Sequence, residues 1–312
     1  MKTKMMSRMV YGEELINLAK HYDFMLMNAD TKSFGLENFG ELYPKRTFNF
    51  GIAEQNLAAA SAGAALCREK VFFGTFAVFA SMRACEQIRT FICYPNINVV
   101  ILASHGGLMT GADGATHIAV EDVAIMRSLP NMTVVEPSDA ICAKKLVKLS
   151  LEYKGPLYIR FPKGETPVIN DEESYIVKIG KGNIIKKYGS DAAIIVMGWL
   201  LSKAILAADI LKKDGINVTV AEIHTVKPID RNLITMLAKN CKGIVTVEDH
   251  SIIGGLGSAV AETVTESCPT RIKRIGILDM FGESGTPEEL YEKNHMEVVD
   301  IVKAVKDILN IY

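Results

Sequence analysis

The chain has 312 residues, 49% of them hydrophobic and 23% charged, with a formal net charge of −1. This length allows two domains of ordinary size, and the composition is that of a soluble globular protein with a large core. Near-neutral charge offers no basic surface for nucleic acid or anionic membrane. The six cysteines show neither C-x-x-C nor metal-ligand spacing, so they read as reduced core thiols of a cytoplasmic protein. The basic N-terminal stretch lacks the apolar segment of a signal peptide, and no apolar run approaches the ~18 residues of a membrane span.

In chain order, Tyr11 to His21 has helical apolar spacing and Phe24 to Met27 reads as a short strand. Ala29 to Arg46 is polar and Gly-containing, a long loop of the kind that often carries function. Then follow strand Thr47 to Phe50, a small-residue helix running to Cys67, strand Val71 to Thr75, helix Val78 to Ile92 and strand Ile97 to Leu102. A loop and helix lead to strand Met132 to Val135, helix Ala140 to Leu151 and strand Leu157 to Arg160. This alternation predicts an α/β, doubly wound, mostly parallel sheet, with ligands beyond the carboxyl ends of its strands. A linker over about residues 165–182 separates domain 1–170 from a smaller α/β domain, 183–312. The second domain opens with strand Ala192 to Met197, helix Leu200 to Lys213, strand Asn217 to Ala221 and strand Gly243 to Val247. The Gly254-Gly255-Leu256-Gly257 run before helix Ser258 to Glu266 reads either as a tight turn or as a phosphate-binding helix start.

Candidate chemistry concentrates in the first domain. Glu54 lies at a helix start, where it either complements the helix dipole or serves as a buried functional carboxylate whose apolar surroundings offer no adjacent Lys or Arg. His105, Asp113 and His117 share a glycine-punctuated loop at a strand's carboxyl end, a set suited to hydroxyls and phosphates. Phe76 and Phe79, three apart at a strand-to-helix junction, suit core packing or the grip of a flat heteroaromatic ring. Arg160 ends its strand and is either solvated or an anion clamp.

These residues carry a resemblance. Gly51-Ile52-Ala53-Glu54-Gln55-Asn56, Gly74-Thr75-Phe76, Ser104-His105-Gly106-Gly107, Gly111-Ala112-Asp113-Gly114-Ala115-Thr116-His117, Arg127-Ser128-Leu129-Pro130-Asn131 and Glu136-Pro137-Ser138-Asp139 resemble the pyrimidine-binding domain of transketolases. The half with Thr246-Val247-Glu248-Asp249-His250 and Gly254-Gly255-Leu256-Gly257 is similar to the transketolase C-terminal domain. The resemblance implies thiamine diphosphate as cofactor and transfer of a two-carbon ketol unit from a ketose phosphate to an aldose phosphate. Glu54 is implied to hydrogen-bond N1′ of the cofactor's aminopyrimidine from an apolar pocket that raises its pKa. Phe76 and Phe79 are implied to pack on the pyrimidine, with Met82 or Arg83 where the family often places a further aromatic, and Asp30 to lie near the cofactor or start a turn. By the same resemblance His105 and Asp113 touch the donor's reacting end, His117 and Arg160 its phosphate, and Arg8 and Ser33 are further phosphate contacts. The second domain is assigned no catalytic residue, its Glu248-Asp249-His250 steadying a loop.

The family's Gly-Asp-Gly motif followed by Asn-Asn, which holds the diphosphate and its Mg²⁺ or Ca²⁺, does not occur in this sequence. The chain therefore resembles the C-terminal subunit of a split transketolase. It is expected to be inactive alone, to self-associate and to form an A2B2 heterotetramer with an N-terminal subunit. The sugar is left open among pentose phosphates, apulose phosphate and sulfosugars. Rival readings are the β subunit of a 2-oxo acid dehydrogenase E1 component, whose Gln-His-Ser-Gln loop is absent, a 1-deoxyxylulose-5-phosphate synthase, expected with Asp-Arg at Ser104-His105 and in one longer chain, and a non-catalytic paralogue.

Overall fold

A computed structural model describes residues 3–68 and 70–311. The larger sheet runs, in spatial order, Thr225–Lys227, Thr133–Val135, Leu157–Arg160, Val99–Ser104, Val71–Phe76, Met25–Asn28 and Thr47–Asn49. All pairs are parallel except the first. Both faces are covered, so the central strands read as unbroken apolar runs whose successive residues enter opposite cores. Phe72, Val100 and Leu102 pack under helices Ser7–Leu18 and Ala140–Glu152, which Tyr11 and Ser150 join by a 2.5 Å hydroxyl contact. Phe73, Ile101 and Ala103 pack under helix Glu54–Cys67, whose Ala58 and Ala62 allow close approach.

The second sheet runs Ile272–Ile277, Ile244–Ser251, Ala192–Val196, Val218–Glu222 and Asn183–Lys187, parallel apart from the last strand. The two domains share core: one apolar cluster passes from Phe73 and Ile101 through Val123 and Met126 to Ile195 and Val260. Strand Thr225–Lys227, which follows the linker in sequence, leaves the second sheet and pairs antiparallel with Thr133–Val135 of the first. Lys4–Met5 pairs with Thr166–Pro167, closing the start of the chain onto the end of the first domain.

Local detail departs from the sequence reading where tertiary contacts outweigh polarity. Ala29 to Arg46 is not all loop: it holds helix Glu37–Leu42 and a 3₁₀ turn Pro44–Arg46. Phe39 stacks on Phe24 at 5.1 Å, and the Arg46 guanidinium lies 4.3 Å over the Tyr43 ring. Val78 to Ile92 is not one α-helix but two π-helical turns, Phe79–Arg83 and Ile88–Cys93, flanking Cys85–Gln87. Beyond Glu266 the chain adds a strand and two helices, Pro287–Lys293 and Val298–Leu309, each started by a reciprocal capping box. The Gly254–Gly257 run is a tight turn. The N–H groups of Leu256 and Gly257 donate to the buried Glu248 carboxylate at 2.6 and 2.8 Å, so a side chain already occupies the helix start offered to phosphate.

Candidate active site

The carboxyl ends of the parallel strands bring Asn28, Asn49, Phe76, Ser104 and Arg160 to one edge of the sheet. Leaving its strand, the chain turns sharply at His105, which holds φ = +63°, an uncommon conformation for a residue with a Cβ. Its ring accepts or donates at Nδ1 to Ser104 Oγ at 2.9 Å and stacks on Phe76 with centroids 3.9 Å apart. Phe76 stacks in turn on Phe79 at 5.6 Å, and the Arg83 guanidinium lies 4.4 Å over Phe79. His117 meets both phenylalanines edge-on, at 5.9 and 5.5 Å.

Glu54 stands at the far end of this column. As first residue of its helix it is 2% exposed, and Nη1 of Arg83 donates to both carboxylate oxygens at 3.1 Å. The expectation of an apolar pocket without a cation is therefore corrected: Arg83, 29 residues away in sequence, supplies one. Of the two residues standing where the family often has an aromatic, Met82 is exposed and Arg83 faces Glu54 and Phe79.

A polar group adjoins the His105 end. Asp113 Oδ2 lies 3.6 Å from His105 Nε2, and Lys163 Nζ donates to Asp113 Oδ1 at 2.6 Å. Arg8 donates through Nε to the Lys163 carbonyl at 3.1 Å and through Nη1 to the Ser33 carbonyl. The helix start, the Ser33 loop and the segment after Arg160 thus converge. Burial lowers the His105 pKa to about 3, with Arg8 and Lys163 pushing the same way and Asp113 opposing. The imidazole is accordingly neutral at physiological pH, able to accept or donate one hydrogen bond. Asp30, at φ = +58°, is tied to the strand ends, its N–H donating to Asn28 and Asn49 and its carboxylate accepting from Asn49 Nδ2 at 2.9 Å.

Arg160 does not join this group, which corrects its reading as a phosphate contact. It is fully buried, with Nε donating to Asp122 at 2.9 Å, Nη1 to Glu136 at 2.9 Å, and Nη2 to the Ala119 and Asp249 carbonyls, each at 3.0 Å. Sequence reasoning missed this cluster because its carboxylates come from separate elements. It also missed Lys163, whose signal was a cation in Phe161-Pro162-Lys163-Gly164 just past a strand end.

Asp249 of the second domain ties the cluster to the site. It accepts from the Leu108 N–H at 2.9 Å, Trp199 Nε1 at 3.0 Å and the Tyr291 hydroxyl at 2.7 Å, fixing the turn that leads to Asp113. A Cβ on Gly107, at φ = +67°, would lie 2.3 Å from that carboxylate, so glycine is required there. Burial pushes the Glu136 carboxyl up to about 8 despite Arg160, and the neighbouring Asp249 and Asp122 push the same way. One guanidinium among three carboxylates leaves room for a retained proton.

Family models match the chain as a transketolase pyrimidine-binding domain over residues 3–168 and a transketolase C-terminal domain over residues 180–301. It is 42% identical over 301 residues to a putative transketolase C-terminal section of Methanocaldococcus jannaschii, covering 95% of this chain and 94% of that protein. It is 34% identical to the 6-deoxy-6-sulfo-D-fructose transketolase subunit SqwH of a Clostridium species, covering 96% of this chain and 94% of that protein. A solved structure described as a split gene transketolase in an inactive β4 tetramer superposes with a TM-score of 0.91 at 41% identity, covering 98% of this chain and 99% of that one. The chain belongs to the transketolase family, whose enzymes depend on thiamine diphosphate, and carries that family's pyrimidine-binding and C-terminal domains.

Proposed function

We propose that this chain is the C-terminal subunit of a split transketolase that moves a two-carbon ketol unit between sugar phosphates. The observation that carries the reading is the stacked column His105, Phe76, Phe79, closed at one end by buried Glu54 and at the other by Asp113. This donor set fits the aminopyrimidine half of thiamine diphosphate: a buried carboxylate for a ring nitrogen beside flat aromatic faces. When bound, the cofactor supplies the electron sink for cleaving a carbon–carbon bond next to a carbonyl.

The residues divide the work by their surroundings. Glu54, fixed by its helix, holds a proton at the pyrimidine nitrogen. Phe76 and Phe79 orient the ring and exclude water from it. Neutral His105, braced by Ser104 and Asp113, hydrogen-bonds the carbonyl or hydroxyl at the reacting end of the donor. His117, Arg8, Ser33 and Lys163 face the phosphate end, and Asp30 shapes the cofactor's edge through its bonds to Asn28 and Asn49. The domain division near residues 165–182 is supported by family matches that end at 168 and resume at 180.

The diphosphate and its metal are assigned to a partner N-terminal subunit, in an A2B2 assembly, because the Gly-Asp-Gly and Asn-Asn motif is absent from this sequence. Mixing the chain with a candidate N-terminal subunit, thiamine diphosphate, Mg²⁺ and xylulose 5-phosphate should give aldose-dependent ketol transfer and a complex with two copies of each subunit by native mass spectrometry. A requirement for a 2-oxo acid and lipoamide instead would place it with the E1 components. Apulose phosphate and sulfosugar donors belong in the same assay, since nothing in the phosphate-end residues selects among sugars.

A further inference from the structure

The pair Arg83–Glu54 is unusual in what it occupies. The guanidinium is a flat cation with in-plane N–H donors; here it lies 4.4 Å over the Phe79 ring while one nitrogen spans both Glu54 oxygens at 3.1 Å. A face of Phe79 and the Glu54 carboxylate are the surfaces that the functional reading assigns to an aminopyrimidine, which is likewise flat and hydrogen-bonds in its own plane. A π-helical turn produces the arrangement: Ala84 N–H donates to the Phe79 carbonyl at 3.0 Å, and the wide turn sets Arg83 beneath the Phe79 ring. Glu54 is 2% exposed whereas the Arg83 side chain is 48% exposed, so the carboxylate is fixed and the arginine has solvent to swing into.

We propose that Arg83 is an internal stand-in for the cofactor's aminopyrimidine, guarding Glu54 in the uncombined chain and leaving when the cofactor binds. The inference rests on the proposed function. An ionised carboxylate at this depth needs a partner, and Arg83 supplies it until the pyrimidine does. Each molecule with the pair closed is incompetent to bind, so the apparent dissociation constant is the intrinsic one divided by the open fraction. Arg83 is thus a positioning residue that sets cofactor affinity and stabilises the free subunit.

The test is calorimetric titration of the reconstituted two-subunit complex with thiamine diphosphate at saturating Mg²⁺, for wild type, Arg83→Gln and Arg83→Lys. Arg83→Gln should bind about tenfold tighter, the factor expected if roughly a tenth of wild-type molecules are open. Arg83→Lys, which keeps the charge without the stacking plane, should fall between. In the uncombined chain Arg83→Gln should lower the urea midpoint, and this shift should vanish in a Glu54→Gln background, where no buried charge awaits a partner. Equal or weaker binding by Arg83→Gln overturns the inference alone. If the wild-type complex takes up no thiamine diphosphate, the functional reading falls and the inference with it. Should Arg83→Gln fail to fold, a structure of the loaded wild-type complex decides: Arg83 displaced from Glu54 supports the proposal, and a retained pair overturns it.

Discussion

Two arginine–carboxylate sites in this molecule share their chemistry and differ in everything around it. Arg160 is sealed among Asp122, Glu136 and two backbone carbonyls, with each guanidinium nitrogen engaged. Arg83 meets one carboxylate through one nitrogen, and about half of its side chain faces solvent. The first is a fixed strut between domains, since Asp249 lies on the second sheet while Asp122 and Glu136 belong to the first domain. The second is a contact that can be exchanged. Burial and the number of partners, rather than position at a strand end or beside an aromatic, decide whether an arginine is free to meet a ligand.

The largest expected effect separates catalysis from folding. Glu54→Ala should reduce turnover of the reconstituted complex by about 10²–10⁴-fold, the usual range for losing a proton-handling group, while circular dichroism stays native. Full activity would remove Glu54 from the mechanism. Next, Arg160→Met strands the buried Asp122 carboxylate and takes the donor from Glu136, and should cost about 3–5 kcal/mol of stability in urea unfolding. Arg83→Gln, losing a half-exposed partner, should cost on the order of 1 kcal/mol. Equal losses at the two arginines would erase the contrast between strut and exchangeable contact.

Lys163→Gln removes a charged donor from the phosphate end and should raise KM for a sugar phosphate about 10- to 100-fold, with kcat little changed. This follows from the ~1.5–3 kcal/mol usual for a hydrogen bond to a charged group, and an unaltered KM would take Lys163 out of the binding set. The last effect concerns pH. Because the folded pKa of Glu136 is raised to about 8, the native state keeps a proton that the unfolded chain releases. Its contribution to stability is complete below the ordinary carboxyl range and is lost as pH rises to about 8. Glu136→Gln should therefore flatten the decline in stability between about pH 5 and about pH 8, measured by urea unfolding; an unchanged slope would mean that Glu136 is ionised throughout.

Much of the fold was legible because burial on both faces of a parallel sheet forces apolar strand text, and Val71–Phe76, Val99–Ser104 and Leu157–Arg160 all have it. Ala29 to Arg46 misled because its polarity hides Phe39, whose partner Phe24 comes from another element. The motif residues around the site were legible as a set. Glu54, Phe76, Phe79, His105, Asp113 and His117 stand in short motifs near strand ends, and those motifs taken in order carried the resemblance to transketolases.

What the sequence by itself determined was the family, the alternation of strands and helices and the identity of the candidate catalytic side chains, since these follow from local periodicity and short motifs. Only the tertiary structure decided which charges meet. It turned Arg160 inward to Asp122 and Glu136, brought Arg83 to Glu54, and set Asp249 of the second domain under the loop of the first. The reason is physical: a buried charge requires an opposite partner within a few ångströms. That partner is chosen by packing between elements far apart in the chain, which no local pattern records.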